Sequence, residues 1–140
     1  MTVDAWLDVG LWIAAGTNAA LLGAGLQVPV RYRWRLQMRC LDRFTARVFW
    51  SYAGFVAMTL VAFSVITALL HNAMLAGERS AMVIAAFMAL WWTARLVIDI
   101  LSLGHRNWPE GTRFVLAHAL LIGGFTGLAV VYWIVVIRAI

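Results

Sequence analysis

The sequence predicts an all-α integral membrane protein, an up-down bundle of four spanning helices with a basic amphipathic interfacial segment between the first two. Three observations predict it. Of 140 residues, 64% are hydrophobic, against about 45–50% apolar in a soluble domain even with glycine counted. Charge is scarce, with 11 basic and 6 acidic side chains, and every basic one is an arginine. The remaining sequence falls into four long apolar runs, each matching the roughly 20 helical residues needed to cross about 30 Å of hydrocarbon. They cover 5–26, 48–70, 81–103 and 114–137, so a single four-span domain over 1–140 is expected. A soluble enzyme is excluded by this balance, and strands are disfavoured because a barrel strand needs only about 9–11 residues of alternating character.

The first run starts beside Asp4 and Asp8 with no basic residue before it. Its apolar stretch exceeds the usual 7–15 residues of a signal peptide, so it is expected to stay as a helix. Ala15, Ala19 and Gly23 recur every fourth residue, with Gly16 and Ala20 alongside. Helices in lipid gain little from burying apolar surface and pack through such small residues. Thr17 and Asn18 interrupt the middle of the run, and a carboxamide there either pins two helices or lines a polar path.

The connection that follows carries Arg31, Arg33, Arg35, Arg39, Arg43 and Arg47. Wound as a helix, it puts Arg35, Arg39, Arg43 and Arg47 on one face and Trp34, Met38, Leu41 and Phe44 on the other. Pro29 marks the break before it. Such a helix lies at a membrane surface with its cations toward anionic headgroups, each basic residue contributing about 1 kcal/mol. The arginines then either fix topology alone or dock a lipid headgroup or an acidic partner. Nucleic acid is not expected despite the net charge of +5, because no recognisable nucleic-acid module accompanies it. Cys40 is the single cysteine, which excludes an internal disulfide and a cysteine-rich metal site.

The second run is dotted with Ser51, Thr59, Ser64 and Thr67, hydroxyls that bond back to their own helix or across to a neighbour. In the third, Trp91 and Trp92 fall near the middle and read as packing. Arg95 and Asp99 demand more, since an ionisable side chain costs roughly 2.5–3.5 kcal/mol at a helix centre. Four residues apart, they share a helix face and lower each other's cost. Ser102, His105, Arg113 and His118 lie at similar depth and complete a candidate polar cluster. It serves either as an interhelical clamp, as a proton relay through Asp99 and His118, or as a hold on an anionic or carbonyl-bearing lipid or quinone-like molecule. The fourth run offers Ala119, Gly123 and Gly127 as a second small-residue face. That face ties the bundle together or receives another chain.

Trp6, Trp12, Trp50, Tyr52, Trp108, Tyr132 and Trp133 sit near run ends and read as interfacial anchors. The arginine distribution sets direction. Eight arginines fall in the first and third connections, against Arg79 and Arg138 on the other side. The positive-inside rule therefore puts both termini outside the cytoplasm. A bacterial inner membrane is the expected compartment. No metal or cofactor is expected, for the histidines are badly placed for a shared ligand and no phosphate loop, GxSxG or HExxH is present. The leading expectation is a non-enzymatic accessory or interaction subunit, partnered by membrane lipids and by another membrane protein or a second copy. The alternatives are a membrane-embedded enzyme or binding protein using Arg95, Asp99 and His118, and a small oligomeric proton-coupled carrier or channel.

Overall fold

The structure, a computed structural model, describes residues 3–31, 33–102 and 112–138. They form six α-helices: α1 (Val3–Arg31), α2 (Trp34–Gln37), α3 (Arg43–Leu69), α4 (His71–Ala76), α5 (Arg79–Ser102) and α6 (Thr112–Arg138), with one 3₁₀ turn at Met38–Cys40. No strand occurs among the described residues. Four helices, α1, α3, α5 and α6, are long and apolar enough to cross a membrane. The chain is a small all-α membrane protein. At 1.5 Å per residue each of the four extends some way beyond about 30 Å of hydrocarbon.

Two local expectations are corrected. The break expected at Pro29 does not occur, because α1 runs through the proline and ends at Arg31. Only two residues follow Pro29 in the helix, so the single backbone bond it deletes is lost close to the end. The chain turns instead at Arg33, whose φ of 48° lies in the left-handed region. Nor is the arginine-rich stretch one continuous helix. Asp42, in extended conformation, starts α3 afresh: its Oδ1 accepts from the backbone N–H of Phe44 at 2.8 Å and of Thr45 at 2.9 Å, and its Oδ2 from the Thr45 hydroxyl at 2.6 Å. An aspartate satisfying those otherwise orphaned donors is a strong N-cap. Arg43 and Arg47 therefore belong to the first two turns of α3, while Arg39 lies in the 3₁₀ turn and Arg35 in α2. The two pieces stay together through Trp34, whose ring meets Phe49 edge-on at 5.1 Å.

At the opposite end Leu70 separates α3 from α4, and Gly77 closes α4 with φ 72°, the left-handed C-terminal position that glycine fills without steric cost. The spans pack with α1 between α3 and α6, and α6 against α5. Phe63, meeting Phe87 and Trp91 edge-on, joins α3 to α5. The core is a column of Leu7, Leu11, Phe63, Met88, Trp92, Phe125, Leu128 and Tyr132. Outside it, large apolar side chains such as Phe55, Leu101 and Leu120 are exposed, the arrangement suited to a hydrocarbon solvent.

Two glycines face the contact between α1 and α6, but not those that the four-residue steps single out. A Cβ added at Gly124 would lie 3.8 Å from Thr17 Cγ2 and 3.9 Å from Leu21 Cδ2, and one at Gly10 would lie 3.7 Å from Val131 Cγ2. Ala15 is buried, and its carbonyl accepts from the Ser64 hydroxyl at 2.9 Å. Ala19, Gly23, Ala119, Gly123 and Gly127 are exposed, and the three glycines have open space around them. Rotation of α6 explains the difference. Tyr132, Leu128 and Phe125 turn into the core, and Gly123, about two and a half turns from Tyr132, consequently falls on the far side of the helix.

Candidate functional site

The polar groups inside the bundle form three groups along its length. Nearest the amino terminus, His71 of α4 is buried and its Nε2 lies 3.0 Å from Oδ1 of Asp8 in α1. Trp12, one turn beyond Asp8, stacks on the imidazole with centroids 4.9 Å apart. The contact fastens α4 to α1.

Deeper in, Asn18 of α1, Thr67 of α3 and Tyr132 of α6 meet, all fully buried. Thr67 gives its single hydroxyl proton to the Phe63 carbonyl at 2.7 Å. The Tyr132 hydroxyl, 2.6 Å away, therefore donates to Thr67 and accepts from the Asn18 amide at 3.2 Å. The other Asn18 proton goes to the Ala14 carbonyl at 2.8 Å. Three helices are thus pinned at one point, with Met88 of α5 touching Thr67 through its sulfur at 3.9 Å. Tyr132 is accordingly a core residue and not the interfacial anchor that its nearness to the helix end suggests. Its neighbour Trp133 is half-buried and donates its indole N–H to Thr93 at 3.1 Å. Trp6, Trp12 and Tyr52 are exposed, as anchors must be. Asn18 Oδ1 and the Trp92 indole N–H are buried without a hydrogen-bond partner among the described residues.

The third group is an acid between an arginine and a histidine. Asp99, 4% exposed, sits one turn after Arg95 on α5 and faces His118 near the start of the antiparallel α6. Arg95 Nη1 lies 3.4 Å from Oδ1, and His118 Nε2 lies 3.7 Å from Oδ2. These are ion-pair separations, longer than the roughly 2.7–2.9 Å of a charge-assisted hydrogen bond. The Arg95 side chain is 46% exposed and its guanidinium rests over the Phe125 ring at 5.3 Å, while Trp92 stacks on the same ring at 5.3 Å. Aromatic support of this kind lets an arginine remain at hydrocarbon depth with its charge partly neutralised.

Of the residues singled out in sequence, Arg95, Asp99 and His118 thus come together. Ser102 ends α5 and Arg113 is the second residue of α6, but their side chains, like that of Arg35, lie outside the described set. His105 falls in 103–111, outside the described residues. Arg39, Arg43 and Arg47 are exposed. Among the described residues no group of three or more His, Cys, Asp and Glu gathers to hold a metal. Asn18 pins two helices and Thr67 bonds back to its own helix, both among the options read in sequence, whereas Tyr132 as their shared partner and the contact of His71 with Asp8 escape sequence reading. The available signal is Thr67 and His71, two polar residues one turn apart at the end of an apolar run.

No family model, curated protein or solved structure matches the chain, so its functional reading rests on its own residues.

Proposed function

We propose that the chain is a non-enzymatic interaction subunit of an assembly in a bacterial inner membrane, with both termini outside and the arginine-rich connection in the cytoplasm. The observation that carries it is the outward face of α6. There Ala119, Gly123 and Gly127 are exposed and the two glycines meet nothing that a Cβ would touch. Close contact between spanning helices is made through small residues in four-residue steps. Inside the bundle Gly10 and Gly124 face the α1–α6 contact instead, and the outer face of α6 is open to a helix from elsewhere, a second copy or another membrane protein. Native mass spectrometry from a mild detergent tests it and separates the two by mass. The expected spectrum holds the chain with a partner, and Gly127→Leu, which fills the face without touching the core, releases it. A partner-free wild type, or an assembly indifferent to Gly127→Leu, would overturn the reading.

A second reading is favoured by the convergence of Arg95 and His118 on the buried Asp99. An acid in that setting suits a membrane-embedded enzyme or binding protein for a lipid, isoprenoid or quinone-like molecule, or, within an oligomer, a proton-coupled carrier.

A further inference from the structure

Of the four candidate spans α3 is the least buried, and near its start an open, shallow hollow is lined by Phe44, Arg47, Val48, Ser51, Tyr52 and Phe55. We propose that this hollow binds one anionic phospholipid, with the phosphate on Arg47 and the upper acyl chain along Tyr52 and Phe55. The inference rests on the membrane-inserted reading above and adds a site and a ligand class that the α6 face does not involve.

Register comes first. The six residues recur at three- and four-residue steps and so form one continuous face of α3, turned away from the helix pair it makes with α1. Phe44, Tyr52 and Phe55 are strongly exposed.

Polarity then selects the ligand. The candidate span begins at Arg43, which puts Arg47 at the boundary between headgroups and hydrocarbon, and Phe55 lies eight residues, about 12 Å, farther in. A guanidinium at the top, the hydroxyls of Ser51 and Tyr52 about one turn below it, and aromatic and aliphatic walls beneath follow the order of a phospholipid: phosphate, glycerol esters, acyl chain. A soluble anion would use only the first of these.

Charge completes the case. The acid nearest in sequence, Asp42, is committed to the cap of α3 through Phe44 and Thr45. Arg43 and Arg39 lie exposed nearby and reinforce a positive field at the same level. Arginine suits a phosphate better than lysine because its planar fork makes two parallel bonds.

The test is native mass spectrometry of protein exchanged into equal amounts of phosphatidylglycerol and phosphatidylcholine. One phosphatidylglycerol is expected to be retained in preference to phosphatidylcholine. Arg47→Gln is expected to cut that retention about fivefold to tenfold, Tyr52→Phe by about twofold, and the control Arg79→Gln not at all. Circular dichroism confirms that each variant keeps its helicity, as surface changes should. Equal retention of both lipids, or a preference that survives Arg47→Gln, would overturn the site. Neither result depends on Gly127, so loss of the lipid site leaves the subunit reading standing, and loss of the assembly leaves the lipid site standing.

Discussion

Asp99 is the residue at which the readings of this protein divide. A buried carboxylate is tolerable only while its charge is matched, and removing one member of such a pair leaves the other uncompensated, at about 3–5 kcal/mol when both are deeply buried. Arg95 is half-exposed and is able to snorkel toward the headgroups, so the smaller figure applies. As a clamp between α5 and α6, Asp99→Ala is expected to lower stability by about 3 kcal/mol, read as Trp fluorescence during unfolding in mixed micelles. Asp99→Asn should cost less, because a carboxamide still accepts from Arg95. A fully stable Asp99→Asn protein that has lost a co-purifying small molecule would instead support the ligand-binding reading. This trio was legible in sequence because ionisable groups in an apolar run are expensive and have to be explained. In the deeper pin Asn18 and Thr67 were legible but their partner was not: Tyr132 lies close enough to a helix end to resemble an interfacial phenol, and only the rotation of α6 shows its hydroxyl directed at Thr67. Amphipathic aromatics are ambiguous in lipid, since one end is at home in either setting.

At the scale of elements, the four spans were legible because only helices and closed barrels satisfy their backbone in hydrocarbon, and apolar runs of about 20 residues are far too long for barrel strands. The break inside the arginine-rich stretch was hidden by periodicity. Arginines at four-residue steps continue across Asp42 as though one helix held them, whereas the cap that divides them depends on two atoms of one carboxylate. That carboxylate is held below the ordinary aspartate value of about 3.9, chiefly by the hydrogen bond from the Thr45 hydroxyl and then by that from the Thr45 N–H, with the Phe44 N–H adding less. A depressed pKa in the folded state means that the cap's stabilisation is complete above the unfolded value and is lost as pH falls through the folded one. The amide protons of Phe44 and Thr45 are therefore expected to titrate with a midpoint below about 3.9 and to show no such titration in Asp42→Asn. A midpoint at or above that value would mean that α3 does not begin at this cap.

For the molecule as a whole, the decisive asymmetry is electrostatic. The packing of α1, α3, α5 and α6 is equally compatible with either orientation in a bilayer, because the exposed side chains along the spans are mostly apolar, Arg95 being the charged exception deep in a span. Only the ends differ: arginines crowd the connection from α1 to α3, while Asp8 meets His71 at the other end. Basic residues in short connections resist translocation and so remain in the cytoplasm, whereas acidic ones contribute little. Cys40 makes the consequence measurable, being the single cysteine of the chain and exposed within the basic segment. A membrane-impermeant maleimide is expected to leave it unlabelled in intact bacterial cells and to label it in inverted membrane vesicles, while a permeant maleimide labels it in both. Labelling from outside intact cells would reverse the topology and with it the leaflet that supplies the α3 lipid. The packing of α6 against α1 and α5 would be unchanged, because no contact within the bundle depends on which side of the membrane the arginines occupy.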